Sequence, residues 1–340
     1  MSSDATYAAT KRQTIERLHA IVDCPLAELD TAVSRAYAAD AAVRAFHPVN
    51  DIAGAADIAS KLWAPIRQSF PDIERRDWVV ASGEYQDRTF VCALSLLQGT
   101  FATDWHGIPA THGVAALRCG EFNELRDGQI VSTHMIIDTL DLMLQAGCCP
   151  IGPSLGAEHA WEAPATQDGA VLDGVDSAAG VATMKVIKAM HNGLMAFDGD
   201  SLASMDHARF WTPNFMWYGP AGIGTTRGLS GFEAHHQIPF LRGFPDRKVA
   251  SHIANVADSN YAVTGGWPSV VATHSGPDWL NVGPTGRKIA MRVMDFYRLD
   301  DGLIAENWVP IDITDILRQM GIDLFGRIRH RRGVPRRDVS

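Results

Sequence analysis

The triplet Phe70-Pro71-Asp72 returns as Phe244-Pro245-Asp246, and Asp138-x-x-Asp141-x-x-x-Gln145-x-Gly147 returns as Asp312-x-x-Asp315-x-x-x-Gln319-x-Gly321. Both blocks are displaced by 174 positions, from Asp72 to Asp246 and from Asp138 to Asp312, so the stretch between them aligns without a gap. Within it Asp104-Trp105 matches Asp278-Trp279, Arg118 matches Arg292, Phe122 matches Phe296, and Asp127-Gly128 matches Asp301-Gly302. A shared spacing over this length marks a tandem duplication, and each half is expected to fold as one domain.

Composition narrows the class. The chain has 340 residues, of which 46% are hydrophobic and 20% charged, a balance that suits globular domains with buried cores. A net charge of −9 argues against nucleic-acid binding, which needs a basic face to displace counterions. The basic run of Arg327, Arg329, His330, Arg331, Arg332, Arg336 and Arg337 reads as a solvated tail. Five cysteines, Cys24, Cys92, Cys119, Cys148 and Cys149, are odd in number and lack zinc-site or disulfide spacing. With no signal-peptide core and no apolar stretch of membrane-spanning length, the expectation is a cytoplasmic protein without a membrane partner.

Helical patterns come first in each half. Residues from about Ala5 to Ala42 are Ala-rich and helix-compatible with a break at Pro25, and Ile58, Leu62, Trp63, Ile66 and Phe70 carry a helical spacing. β-type runs follow at Trp78 to Ala81, Thr89 to Thr100, Gly113 to Leu125 and Gln129 to Ile137, the last two joined by an Asp-Gly turn. The second half repeats this with helices at about Ala182 to Met205 and Gly231 to Arg242. Its strands are expected at Phe215 to Tyr218, Lys248 to Ala257, Tyr261 to Thr273, Lys288 to Leu299 and Leu303 to Ile311. Helices followed by an antiparallel meander give an α+β class. The expected domains are 1–150 and 180–326, with a Pro- and Gly-containing linker at 151–179 and a tail at 327–340.

Strand alternation puts Glu306, Trp308, Pro310 and Asp312 on one face, and Ser132, His134, Ile136 and Asp138 on its counterpart. Asp138 and Asp312 each precede a short helix and suit an N-cap. The competing reading is catalytic: a carboxylate desolvated against Trp308 would have a raised pKa suited to proton transfer. His235, His236, His252 and His274 match no compact metal-ligand spacing and read as pocket hydrogen-bonding groups. Trp217, Tyr218 and Trp267 are candidate pocket walls. The glycines at 219, 222 and 224 are followed by no phosphate-binding helix or Walker lysine, and no nucleophile elbow occurs.

The series Phe-Pro-Asp, Gly283-Pro-Thr-Gly-Arg287, Asp301-Gly-x-Ile-x-Glu-x-Trp-x-x-x-Asp312 and Leu317-x-Gln-x-Gly321 resembles the SnoaL-like polyketide cyclases of the NTF2-like superfamily. The resemblance covers the second half and, with weaker motifs, the first. It implies two tandem cone-shaped α+β barrels, each a curved antiparallel sheet wrapped around N-terminal helices. It also implies cofactor-independent and metal-free acid/base chemistry on a small or medium carbonyl or ester compound, by a cyclase, isomerase or hydrolase. A non-catalytic small-molecule binding protein is the alternative. By motif Asp312 matches the family's general acid/base, and Asp138 matches it through the repeat. The first half carries His134 where the second has Trp308, and Ser132 where it has Glu306, which favours the second half as the active one. The expected site therefore combines Asp312, Asp138, His274 and His252 as catalytic groups with Trp217, Tyr218, His236, Trp267, Arg292, Trp308 and His134 around the substrate. NTF2-like domains pair through their sheets, so either a homodimer or an intrachain pseudo-dimer is expected.

Overall fold

Pro25 ends the N-terminal helical run as its fixed φ requires, separating α1 (Ser3–Asp23) from α2 (Leu29–Ala36) in the computed structural model. The structure describes residues 3–277 and 279–333. Asp278 of the repeat and Arg336 and Arg337 of the basic run lie outside the described residues.

The helix expected to reach Ala42 stops at Ala36, and Tyr37–Ala45 is strand β1. This segment buries Tyr37, Ala41, Val43 and Ala45, and it pairs in parallel with the last strand of its half. Burial against a partner strand overrides alanine's helix preference. There follow β2 (Asp51–Ala53), α3 (Ala55–Asp57), a π-helical turn (Ile58–Trp63) and α4 (Ala64–Ser69). The meander is β3 (Glu74–Tyr85), β4 (Arg88–Thr100), β5 (Val114–Arg126) and β6 (Gln129–Ile137), closed by α5 (Thr139–Gln145).

The second half opens on α6 (Ser177–Met195), β7 (Trp211–Tyr218) and β8 (Thr226–Arg227). Then come α7 (Gly228–Phe232), a π-helical turn (Glu233–Gln237) and α8 (Ile238–Gly243). Its strands are β9 (Lys248–Val249), β10 (Ala254–Asp258), β11 (Tyr261–Thr273), β12 (Lys288–Asp300) and β13 (Leu303–Trp308). Helices α9 (Ile313–Gln319) and α10 (Leu324–Arg331) end the described chain. The expected strand at Lys248 to Ala257 is two short pieces, and β13 ends before Pro310, which has no amide hydrogen for the ladder.

The two sheets run β2-β1-β6-β5-β4-β3 and β10-β11-β12-β13-β7-β8, with β9 alongside β11. The meander is antiparallel as its alternation implies, but β1 with β6 and β7 with β13 are parallel, so both sheets are mixed. Asp127-Gly128 and Asp301-Gly302 turn the equivalent hairpins, all four residues at positive φ, between 48° and 77°.

The outer faces of the two sheets pack on each other within the chain. Leu94, Phe122, Ile136, Val256, Val263, Met294, Phe296 and Trp308 form this second core, and the repeat-related rings of Phe122 and Phe296 meet at 5.9 Å. A Cβ on Gly120 would come within 2.9 Å of the Pro310 ring, so the close approach needs glycine there. The linker is a strap across this seam: Ala165 N–H donates to Glu306, Trp308 Nε1 to the Glu162 carbonyl, and Arg118 to the Glu158 carbonyl. Part of the basic run is not a solvated tail. Leu324, Phe325 and Ile328 bury one side of α10, while Arg332 bonds to Asp104 and Arg331 to the Cys149 carbonyl in the first half. No helix among the described residues is long and apolar enough to cross a membrane.

Candidate active site

The inner face of the second sheet and the helices beneath it enclose a cavity of about 1070 Å³. On β12 the residues facing it are Met291, Val293, Asp295 and Tyr297, and beyond β13's start they are Asn307, Val309 and Ile311. The helices contribute Met190 and His191 from α6, Phe232 from α7, and His236, Gln237, Phe240 and Leu241 from the π-turn and α8. A π-turn inserts one residue into the helix and re-aims side chains, a device common at functional sites. Here His236 stacks on Trp217, ring centroids 4.1 Å apart, while the adjacent His235 is exposed.

Asp295 is the acid of the cavity wall. Burial pushes its pKa up to about 6, against weaker stabilisation of the carboxylate by Asn307 and Tyr297. Asn307 Nδ2 donates to Asp295 Oδ1 at 3.4 Å, and the Tyr297 hydroxyl lies 3.2 Å from His191 Nε2. The His191 ring is parallel to that of His252 at 6.1 Å. Desolvation lowers the pKa of His191 to about 4 and of His236 to about 3, and it lowers those of His207 and His252. These imidazoles are neutral at pH 7, so each offers one donor and one acceptor. His207, His236 and His252 each keep at least one buried ring nitrogen without a protein partner.

The structure brings Trp217, His236 and His252 of the expected site to the cavity and leaves the others elsewhere. Strand alternation grouped Glu306, Trp308 and Asp312 correctly, but their common face is the outer one. Trp308 stacks on Tyr218 at 5.1 Å in the seam between sheets, where Tyr218's hydroxyl donates to Glu306. Asp312 caps α9 through the Asp315 amide, accepts the His47 amide at 2.9 Å and pairs with Arg292 at 3.0 Å. Asp138 is its mirror: it caps α5 through the Asp141 amide and accepts the Ala221 amide at 2.8 Å. Burial raises both pKa values, that of Asp312 to about 6, but neither residue lines the cavity. Trp267 lies over Arg292 and edge-on to His134, again on the outer side. His274 is fully buried, with Nδ1 3.1 Å from the Thr285 hydroxyl and its ring against Phe244.

Asp295, Tyr297, Asn307, His191 and His207 went unrecognised in the sequence. A signal existed: Asp295 and Tyr297 alternate with the outward Met294 and Phe296, and Asn307 lies between Glu306 and Trp308.

The first half fills the matching interior. Glu121, the repeat partner of Asp295, is bonded to Arg75 at 2.5 Å, and Arg75 also binds Asp77 at 2.7 Å. Position 249, the repeat partner of Arg75, is Val249. Among the described residues no group of three or more His, Cys, Asp or Glu side chains is arranged to hold a metal ion.

Residues 199–320 match the family model of the SnoaL-like polyketide cyclases. Among solved structures, AclR from Streptomyces galilaeus is 19% identical, with 42% of this chain and 99% of that one covered at a TM-score of 0.35. IdmH from Streptomyces antibioticus is also 19% identical, covering 40% and 98% at 0.34. TsrD from Streptomyces laurentii is 16% identical, covering 41% and 96% at 0.34. No curated protein matches the chain.

Proposed function

We propose that the second half, whose residues 199–320 match the SnoaL-like polyketide cyclase family model, is an enzyme of the cyclase or isomerase type that rearranges an enolisable carbonyl compound with Asp295 as general acid/base. One observation carries this reading. Asp295 is a carboxylate in the wall of a large, mostly apolar cavity, with its pKa raised to about 6 by burial and no cation paired with it among the described residues. An acid tuned to within about a unit of neutral pH is ionised enough to take a proton and basic enough to do so at useful rate.

In the proposed step the Asp295 carboxylate removes a proton from the carbon next to the carbonyl. Charge develops on the carbonyl oxygen, and the N–H of a neutral lining imidazole stabilises it. The enolate carbon then either attacks a second carbonyl of the same molecule, closing a ring, or is reprotonated elsewhere. Asp295 returns its proton to the new alkoxide or carbon, so no other reactant is consumed. Asn307 and Tyr297 orient the carboxylate, and the stacked pair Trp217 and His236 forms a flat apolar wall for the substrate. A volume of about 1070 Å³ suits a medium-sized, several-ring or extended molecule.

Asp312 fits a structural role better, because all its bonds go to the α9 cap, Arg292 and the facing half. The Arg75–Glu121 pair favours a supporting role for the first half. The test is a metabolite-library incubation of wild type, Asp295→Asn and Asp312→Asn, read as compound loss by mass spectrometry. A compound consumed by wild type and Asp312→Asn but not by Asp295→Asn supports the assignment. Consumption surviving Asp295→Asn overturns it, and ligand-induced stabilisation without consumption in all three indicates a binding protein.

A further inference from the structure

The first cone joins its interior carboxylate to an arginine; the second holds an acid and a cation apart. Arg247, just after α8, lines the cavity and is half-buried beside the exposed Lys248 and Val249. Its guanidinium lies 5.3 Å from the Phe197 ring and 6.0 Å from the Phe240 ring. Burial lowers its pKa, and among the described residues it forms no ion pair and its side chain makes no hydrogen bond to another residue. Asp198 accepts the Asp200 and Ser201 amides, Asp246 accepts the Thr273 amide, and Asp200 bonds Arg247 in no way. The repeat-equivalent residue is the buried Ile73, so the arginine is particular to the half with the cavity.

A guanidinium has five N–H donors in a planar fork matched to a carboxylate, and partial desolvation between two aromatic faces strengthens any charge-assisted bond it makes. We propose that Arg247 is a specificity-determining residue that binds a carboxylate of the ligand, so that the cavity takes an apolar carboxylic acid. As to catalysis this rests on the acid/base reading above, because the acid would also be the compound whose carbonyl is rearranged. As to binding it stands alone. With the carboxylate held at Arg247, the apolar body lies along Phe240, Trp217 and His236, and the unpaired imidazoles meet its remaining polar atoms.

Isothermal titration calorimetry with decanoate and 2-naphthoate, each against its primary amide and methyl ester, tests this on wild type, Arg247→Gln, Arg247→Lys and Asp295→Asn. The expected result is at least tenfold tighter binding of the acids by wild type, abolished in Arg247→Gln and partly kept in Arg247→Lys. Unchanged amide affinity in Arg247→Gln, with an unchanged melting temperature, shows that the variant is folded. Equal affinity for acid and amide, a preference that survives Arg247→Gln, or no binding of either acid overturns the proposal. Asp295→Asn is expected to keep the preference. If it keeps both the preference and turnover, only the acid/base assignment fails.

Discussion

Asp312 accepts a hydrogen bond from the His47 amide across the seam between the two halves, at 2.9 Å, and the repeat reproduces that bond as Asp138 with Ala221, at 2.8 Å. His47 and Ala221 are themselves separated by the repeat displacement, so the two bonds are related by the chain's internal symmetry. A single feature that looked like a catalytic carboxylate in sequence is, in space, a pair of clasps joining the halves.

Asp312→Ala should therefore cost stability rather than chemistry. It removes the α9 cap, the partner of the His47 amide and the nearest counter-charge of the half-buried Arg292, which keeps Asp315 at 3.5 Å. A loss of about 1–3 kcal/mol is expected in urea or thermal unfolding, from the cap together with the lost hydrogen-bond acceptor of the His47 amide. Asp312→Asn retains capping ability and should lose less.

On the proposed acid/base role, Asp295 predicts a pH dependence in which activity and stability move oppositely. Its carboxyl ionises near 3.8 when unfolded and near 6 when folded. Between those values the folded protein keeps a proton that the unfolded chain has released, so this group's contribution to stability falls as pH rises from about 4 to 6. The base form is populated over the same interval, so kcat/KM should rise with pH to a plateau above about 6 to 7. Asp295→Asn removes the titration: melting temperature against pH should show the variant gaining on wild type at pH 7 relative to pH 4, by the equivalent of roughly 1–3 kcal/mol.

The buried pair of the first cone predicts strong non-additivity. Arg75→Met leaves Glu121 without a cation and should destabilise by about 3–5 kcal/mol. Adding Glu121→Met should recover much of that loss, since Asp77 retains His19 at 2.8 Å. Ligand affinity at the second-half cavity should stay unchanged in both variants, measured by calorimetry.

Phe122 packs with its repeat partner Phe296 at the centre of the sheet-to-sheet seam, and a Cβ on Gly265 would meet its ring at 2.6 Å. Phe122→Ala should cost about 3–5 kcal/mol. Because the seam joins both sheets, wild type should unfold in one calorimetric transition, and the variant should broaden or split it.

The sequence by itself determined the duplication, the α+β order, the Asp-Gly hairpins and the sets of residues that share a strand face. Those properties follow from local spacing: a repeat displacement, periods of 3.6 and 2, and turn residues that accept positive φ. Tyr37–Ala45 escaped because its strand character comes from pairing with β6, which is distant in sequence. The site escaped for a related reason. Alternation separates Asn307 from Trp308 and Asp295 from Phe296, but it is indifferent to which side is inside. Only the packing of one sheet's outer face on the other sent Trp308, Tyr218 and Asp312 into the seam and left Asp295, Trp217 and His236 facing the cavity.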